Sequence, residues 1–532
     1  MIKVRQVKVN VEKNSEKEIK RQLLKKLKAK SEEVLNIKIT KQSIDAREKP
    51  ILYFVYELEV QLKNEQAYLN KNKSKDIFKE EKENFQLKET KEKKRKLNHR
   101  PIVVGSGPAG LFCAYILAYY GYNPIILERG KDIEERVKDV EFFFKENKLN
   151  VNSNIQFGLG GAGTFSDGKL NTLVKDKRHI GKKVFEIFVE CGAPSEILYA
   201  YKPHIGTDLL RVVIKNMKQK IISMGGSFFF EKTVTNLFFS NDKIEKIEIN
   251  HQETMPCEAL VLAIGHSARD TFFMLNDRKL EMKSKPFAVG IRISHPQKMI
   301  NKSQYGTEEN KILGPASYKL TYNTKEKRGV YSFCMCPGGY VVNASSEKGR
   351  LAINGMSNHQ RESENANSAL LVTVSKEDYG EGLFDGVLFQ RKLEEQAYKL
   401  GQGLIPIQLY KDFKANKKTT FLEEVKPLFK GSYTLSNLRK ILPEWMSESL
   451  IEAIEYFNHK IKGYSREDAI LAAIESRSSS PIRIIRNEEY ESNKKGVYPC
   501  GEGAGYAGGI TTSAMDGIKV AEQIINTYKK EK

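Results

Sequence analysis

Gly105, Gly107 and Gly110 complete a G-x-G-x-x-G spacing, and Glu128 follows eighteen residues after the last of them. That spacing suits a dinucleotide. The first glycine permits a tight turn, the second leaves the backbone open to a pyrophosphate, and the third lets a helix pack closely on its strand. An acid about twenty residues further on accepts a ribose hydroxyl. Ser106, Pro108 and Ala109 fill the turn, and Arg129 follows the acid. The β-branched run 102–104 precedes the glycines, an uncharged apolar run 111–120 follows them, and a second apolar run, 124–127, ends at Glu128. This order predicts strand, turn, helix and strand, with the helix offering unpaired N–H groups and its positive dipole end to phosphates. A ligand-free turn is the bland alternative, and it leaves the joint spacing of three glycines and an acid unexplained.

Three further stretches carry polar or glycine-rich chemistry. Residues 157–170 read FGLGGAGTFSDGKL. Gly158, Gly160 and Gly163 repeat the G-x-G-x-x-G spacing, but no strand precedes them and no helix opens from them, so a second nucleotide turn is rejected. A loop that approaches a ligand closely is expected instead, anchored by Phe157, Phe165 and Leu170 and carrying Thr164, Ser166, Asp167 and Lys169. The continuous apolar run 259–265 predicts a buried parallel strand whose end, Gly265-His266-Ser267, lies at a ligand crevice. Near the C-terminus, 497–500 predicts a strand, 501–509 a glycine-rich turn, and 513–525 a helix.

Other chemistry-bearing residues are isolated. Cys334 and Cys336 are one residue apart, a spacing that strains a disulfide; two packed thiols on a half-buried strand are the plainer reading. Arg477, with Arg483, suits either a bidentate clamp on a substrate carboxylate or a structural ion pair. His204, His266 and His295 stand next to turn residues and read as structural. No second Cys/His pair has zinc-ligand spacing, so no metal is expected. No second strand-turn-helix fingerprint is present, so a separate site for a nicotinamide dinucleotide is not expected.

The positioning elements divide the chain as follows. Residues 1–63 show alternating Val7, Val9 and Val11, a helical stripe of Ile19, Leu23 and Leu27, and an alternating run from Tyr56 to Leu62. These predict a small ferredoxin-like α/β unit with a turn at 43–47 that either docks on the main body or stays solvated. Residues 64–98 read as a charged linker. The main α/β domain, expected to be Rossmann-like, spans 99–275 and returns at 476–532. Between them, 276–475 reads as an inserted α+β domain suited to covering a substrate. A chain of 532 residues exceeds one ordinary core. Residues 208–224 predict a helix, 227–249 a meander, and 447–458 a helix capped by Ser447.

Net charge is +21, and residues 1–100 hold 28 Lys/Arg against 16 Asp/Glu. Lysine interleaved with glutamate, without aromatic stacking positions, favours a solvated surface over a nucleic-acid partner. The basic run KEKKRK, 91–96, matches a nuclear signal by chance in such a lysine-rich chain. Residues 101–127 are uncharged, yet their glycines and Pro124 break the run, so no membrane span is expected. Six unpatterned cysteines and the absence of an apolar leader point to a reducing, cytoplasmic setting.

The segments GSGPAG with ERG, LAIGH and VYPCGEGAG together resemble FAD-dependent oxidoreductases of the two-dinucleotide-binding class. FGLGGAGTFSDGKL, SFCMCPGGYVVNASSE, NGMS and ESRSSSPIRI narrow the resemblance to FAD-dependent dehydrogenase-like proteins of unassigned substrate, over nearly the whole chain. The resemblance implies FAD as cofactor. Gly105, Ser106, Gly107, Pro108, Ala109, Gly110, Glu128 and Arg129 would hold its ADP half. Gly160, Gly161, Gly163, Thr164, Ser166, Gly168 and Lys169 would lie along ribityl and ring. Gly265, Gly501, Glu502, Gly508, Gly509 and Ile510 would close the site. Glu502 stands where this class usually has aspartate, and Leu159 where the narrower family commonly has an acid. Lys169, Cys336 and Arg477 are the candidates for catalysis on a small-molecule substrate, with an electron donor or acceptor still to be named. The other function class is a flavin-containing, RNA-associated or tRNA-modifying protein using the basic N-terminal unit.

Overall fold

The computed structural model describes residues 1–530 apart from 73, 80–84, 89, 91–94 and 173. Ile102–Val104 is the middle strand of a five-stranded parallel sheet. Leu260–Leu262 and then Val497–Pro499 lie on one side of it. Ile125–Leu127 and then Ser227–Phe229 lie on the other. Both faces of such a sheet are covered, which is why its inner strands are uninterrupted aliphatic runs. Pro108–Tyr119 is buried from Ala109 to Ala118. A helix apolar on every face needs cover on every face, and here the cover is the sheet below and Ile510–Thr527 alongside.

Ser227–Phe229 is not a meander strand, as the alternation suggested. The helix Thr207–Ser223 crosses over and returns the chain parallel to Ile125–Leu127. The meander consists of Val234–Ser240, Lys243–Ile249 and Glu253–Pro256.

The region between the two parts of this sheet builds a seven-stranded sheet around Phe287–Pro296, Asn365–Val374 and Ile470–Glu475. Arg292 sits in the middle of it, fully buried. Its guanidinium donates to Glu475 at 2.8 and 3.2 Å, to Asn367 Oδ1 at 2.7 Å, to Asn354 Oδ1 at 3.0 Å and to the Cys334 carbonyl at 3.3 Å. One side chain thus ties together five strands. The helix Glu444–Asn458 starts three residues earlier than expected, and Ser447 lies buried inside it rather than capping it.

The N-terminal strands Ile2–Asn10, Val34–Asp45 and Tyr53–Leu62 pair antiparallel over the helix Glu16–Leu27. The first part of the stretch expected to be a linker also belongs to this unit, and its later part joins the main body. Glu65–Lys71 is helical, and Ile77–Lys79 pairs with Ile2–Val4 as a fourth strand. Further on, Lys88 N–H donates to Glu522 and Arg95–Lys96 pairs with Tyr528–Lys529. The greater part of the KEKKRK tract lies outside the described residues. The unit docks on the main body through Gln42, whose N–H donates to the Tyr199 carbonyl at 2.8 Å and whose carbonyl accepts from Tyr201 at 2.9 Å. No described helix is long and apolar enough to cross a membrane.

Replacing Arg292 with Met should lower stability by about 3–5 kcal/mol, because Glu475 is left buried without its cation. Adding Glu475→Gln should recover part of that loss. Equilibrium urea unfolding of the two variants checks this, and equal midpoints for R292M and the parent would count against it.

Candidate functional site

The carboxyl ends of the parallel strands open onto a cavity of about 1550 Å³, its mouth included. Most residues expected to hold a cofactor line it. They are Gly105 to Ala109, Glu128, Arg129, Gly161, Gly163, Ser166, Gly168, Lys169, Gly265, Glu502 and Gly508 to Ile510. Gly110, Gly160, Thr164 and Gly501 do not, and each serves packing instead. A side chain at Gly110 would strike the Gly105 carbonyl, and one at Gly160 would strike Thr164. Thr164 is itself fully buried. Gly501 faces Ala109, and its N–H donates to Asp516 at 2.8 Å.

The walls suit a long anion. Gly107 and Gly509 are the N-caps of Pro108–Tyr119 and Ile510–Thr527, and neither helix has a side-chain cap. Both therefore present first-turn N–H groups and a positive dipole end at the same cavity. A Cβ on Gly107 would meet nothing nearer than 3.8 Å, and one on Gly265, Gly508 or Gly509 nothing within 4 Å. The glycine backbones border open space, as a cradle for a close-lying ligand requires.

Glu128 differs from expectation. Its Oε2 accepts from Ser106 N at 2.9 Å and Ser106 Oγ at 2.7 Å, and its Oε1 from Gly130 N at 2.9 Å and Gly158 N at 3.0 Å. A free carboxylate awaiting a ribose is thus not what the wall presents. The acid ties the first glycine turn to the second glycine loop, and a ribose hydroxyl would take the place of Ser106 Oγ. Arg136, fully buried, completes the arrangement from below. It donates to the carbonyls of Asn154, Ile155, Gly158 and Leu159 at 2.7–3.2 Å. Burial pushes its guanidinium down to about 9, partly offset by the charge of Glu128. Gly158 has φ +118, and any side chain there would collide with Arg136.

The opposite wall comes from the inserted sheet. Burial disfavours the charge on Asp167, but Lys169 at 3.0 Å and Arg361 at 2.6 Å outweigh it and hold the carboxyl well below its usual range. Ser357 also donates to Asp167. Lys169 additionally donates to the Met335 carbonyl, so its ammonium is fixed at the cavity wall. Arg477 lines the cavity too, yet its guanidinium is already held by Glu394 at 3.0 and 3.1 Å, by Ser267 at 3.2 Å and by Ser346. Of its two readings the ion pair is the one observed, because Glu394 is fully buried and needs cations. A carboxylate clamp at Arg477 is set aside.

The two thiols also differ. In a regular strand Cys334 and Cys336 would share a face, but the register slips between Phe333 and Cys336, and Cys334 takes φ +42. Cys334 is surrounded by protein yet exposed, because it faces the cavity. Cys336 is buried, and its thiol donates to the Cys334 carbonyl at 3.3 Å. Burial pushes the Cys334 thiol up to about 12 and raises that of Cys336. Both cysteines line the cavity, Cys334 with its side chain exposed there and Cys336 buried in the wall. Asn354 and Gly355 line the cavity without any expectation from the sequence, and His266, expected at the crevice but as a structural residue, lines it too. Asn354 and Gly355 carry no local signal, whereas His266 stands directly after the strand-ending glycine.

Residues 286–478 match a family model described as "FAD-dependent protein, C-terminal domain-like", and residues 1–61 match a domain of unknown function. An uncharacterized protein of Clostridium beijerinckii is 48% identical over 517 residues, which is 96% of each chain. Solved structures with partial likeness include an L-amino acid deaminase from Proteus vulgaris, at 12% identity and a TM-score of 0.26, covering 40% of this chain and 63% of that one. A glycine oxidase from Bacillus cereus has 11% identity and a TM-score of 0.31, covering 80% and 95%. An L-proline dehydrogenase from P. horikoshii has 12% identity and a TM-score of 0.34, covering 81% and 93%. Likeness at this level decides neither fold nor reaction.

In the folded protein iodoacetamide should label Cys334 and spare Cys113, Cys191, Cys257, Cys336 and Cys500, all buried. With the thiol at about 12, labelling should be slow at neutral pH and speed up about tenfold per pH unit as thiolate forms. Peptide mass mapping checks this; preferential labelling of Cys336 would show that the cavity wall is placed wrongly.

Proposed function

We propose that this chain, which belongs to the FAD-dependent protein family, is an oxidoreductase acting by hydride transfer on a small molecule held between the cofactor and the inserted sheet. Its cofactor is FAD. The observation that carries this reading is the shape of the cavity at the strand ends: two uncapped helix N-termini and bare glycine backbone on one side, and Lys169, Cys334 and Asn354 on the other. The parallel five-stranded sheet with its glycine turn supports a Rossmann-like description of the first wall. The antiparallel order of the N-terminal strands, with Ile77–Lys79 beside Ile2–Asn10 and Val34–Asp45 at the far edge, supports a ferredoxin-like description of that unit.

Bound FAD supplies the hydride chemistry; the protein supplies position and electrostatics. The helix N-termini at Gly107 and Gly509 would offset phosphate charge. The loop 160–169 would fix where the cofactor lies, because Arg136 and Glu128 hold the residues that lead into it, up to Leu159. Lys169 keeps a positive charge at the wall, with Asp167 as its partner, and so favours a substrate or transition state that carries negative charge. The buried network of Arg477 and Glu394 excludes water behind that wall.

Cofactor released from the purified protein by denaturation should be FAD; FMN alone, or no flavin, would sink the reading. Gly107→Val should abolish binding, since a β-branched side chain fills the space the phosphates need. Lys169→Met should keep FAD and slow its anaerobic reduction by the productive donor about a hundredfold, the scale for removing one electrostatic contact. A panel of metabolite donors, followed by loss of flavin absorbance, identifies that donor.

A further inference from the structure

Two loops end side by side at the cavity. Leu260–Leu262 and Val497–Pro499 are neighbouring parallel strands, and their carboxyl ends carry His266 and Glu502. His266 Nδ1 lies 3.1 Å from Glu502 Oε1. The imidazole is one-tenth exposed, whereas the carboxylate has 27% of its surface open. His266 Nε2 is buried and has no hydrogen-bond partner. A buried imidazole nitrogen without a partner costs about 1–3 kcal/mol. An apolar side chain of similar size would avoid that cost, so folding stability does not account for a histidine here. Among the described residues, the polar contact of the ring is the bond to Glu502.

We propose that His266 is a positioning residue that fixes the Glu502 carboxylate to accept a hydroxyl of the ribityl chain of FAD. This rests on the FAD reading above. Glutamate carries one more methylene than the aspartate usual at this position, so its carboxylate needs an external hold to occupy a single place. The bond from Nδ1–H to Oε1 provides that hold and leaves Oε2 for a ligand. The sheet decides which hydroxyl. Glu128 ends Ile125–Leu127, and Glu502 follows Val497–Pro499, three strand spacings away. At about 4.8 Å per spacing the two strand ends lie roughly 14 Å apart along the sheet edge. If Glu128 marks the adenosine end, Glu502 lies beyond the pyrophosphate, on the ribityl side.

The test measures dissociation constants of FAD and of ADP for the cofactor-stripped full-length protein, together with its thermal midpoint. His266→Leu should weaken FAD about tenfold, leave ADP within twofold, and not lower the midpoint. His266→Asn places an amide N–H where Nδ1–H stood and should restore FAD to within threefold. Glu502→Ala should weaken FAD at least as much as His266→Leu, and the double variant should be no weaker than Glu502→Ala alone, because the two act as a unit. Four results overturn the proposal: unchanged FAD affinity in His266→Leu, equal losses for FAD and ADP, no rescue by His266→Asn, or additive losses in the double variant. Failure of the unaltered protein to bind FAD would instead overturn the cofactor reading.

Discussion

The second glycine loop is held between a buried carboxylate and a buried guanidinium, and the cavity takes its shape from that hold. Glu128 accepts the Gly158 N–H, and Arg136 donates to carbonyls on either side of it. Backbone groups in an irregular segment lack the pairing that a helix or sheet provides, and leaving them unpaired inside the protein costs several kcal/mol. Here two charged side chains satisfy them. Their opposite charges also offset each other's burial. The same carboxylate reaches Ser106 in the first glycine turn. These two of the turns that border the cavity are therefore set by one acid, before any ligand arrives.

A second constraint joins the two halves of the molecule. Asp167 and Lys169 on the loop meet Arg361, Ser357 and the Met335 carbonyl from the inserted region. On the other side of the cavity, Arg269 and Arg477 share Glu394 and Glu347. These ion pairs are buried, so removing one partner strands the other. The wall formed by the inserted sheet is thus held at fixed distance from the glycine turns. A site for positioning two reactants needs such rigidity, since misplacement of about 1 Å is costly in rate.

Much of this was legible in the sequence because it rests on local rules. Glycine spacing announces the first turn, uninterrupted aliphatic runs announce the inner parallel strands, and alternation announces the N-terminal strands. The fourth strand of that unit was hidden by the lysines and glutamates around Ile77–Lys79, which resemble a solvated linker. Arg136 and Arg292 were invisible for a related reason: an arginine in an amphipathic helix or a strand reads as solvent-facing, and only long-range packing reveals carbonyls and carboxylates around it. The slip at Cys334 reverses a face that strand periodicity assigns with no warning from composition. His266 and Glu502 stand 236 residues apart, and only the pairing of their strands brings them together.

The central claim is that one extended cofactor spans the cavity, from the Glu128 end of the sheet to the wall that carries Lys169 and Cys334. A crystal structure of the FAD-loaded protein tests it most directly. It should show the pyrophosphate at the N-termini of the two glycine-capped helices and the isoalloxazine ring between residues 163–169 and Cys334. The backbone of 154–168 should lie within about 1 Å of its position described above, the ordinary scale of change in a pre-organised site. A ring system bound away from Lys169 and Cys334, or a refolded 154–168 loop, would contradict the account.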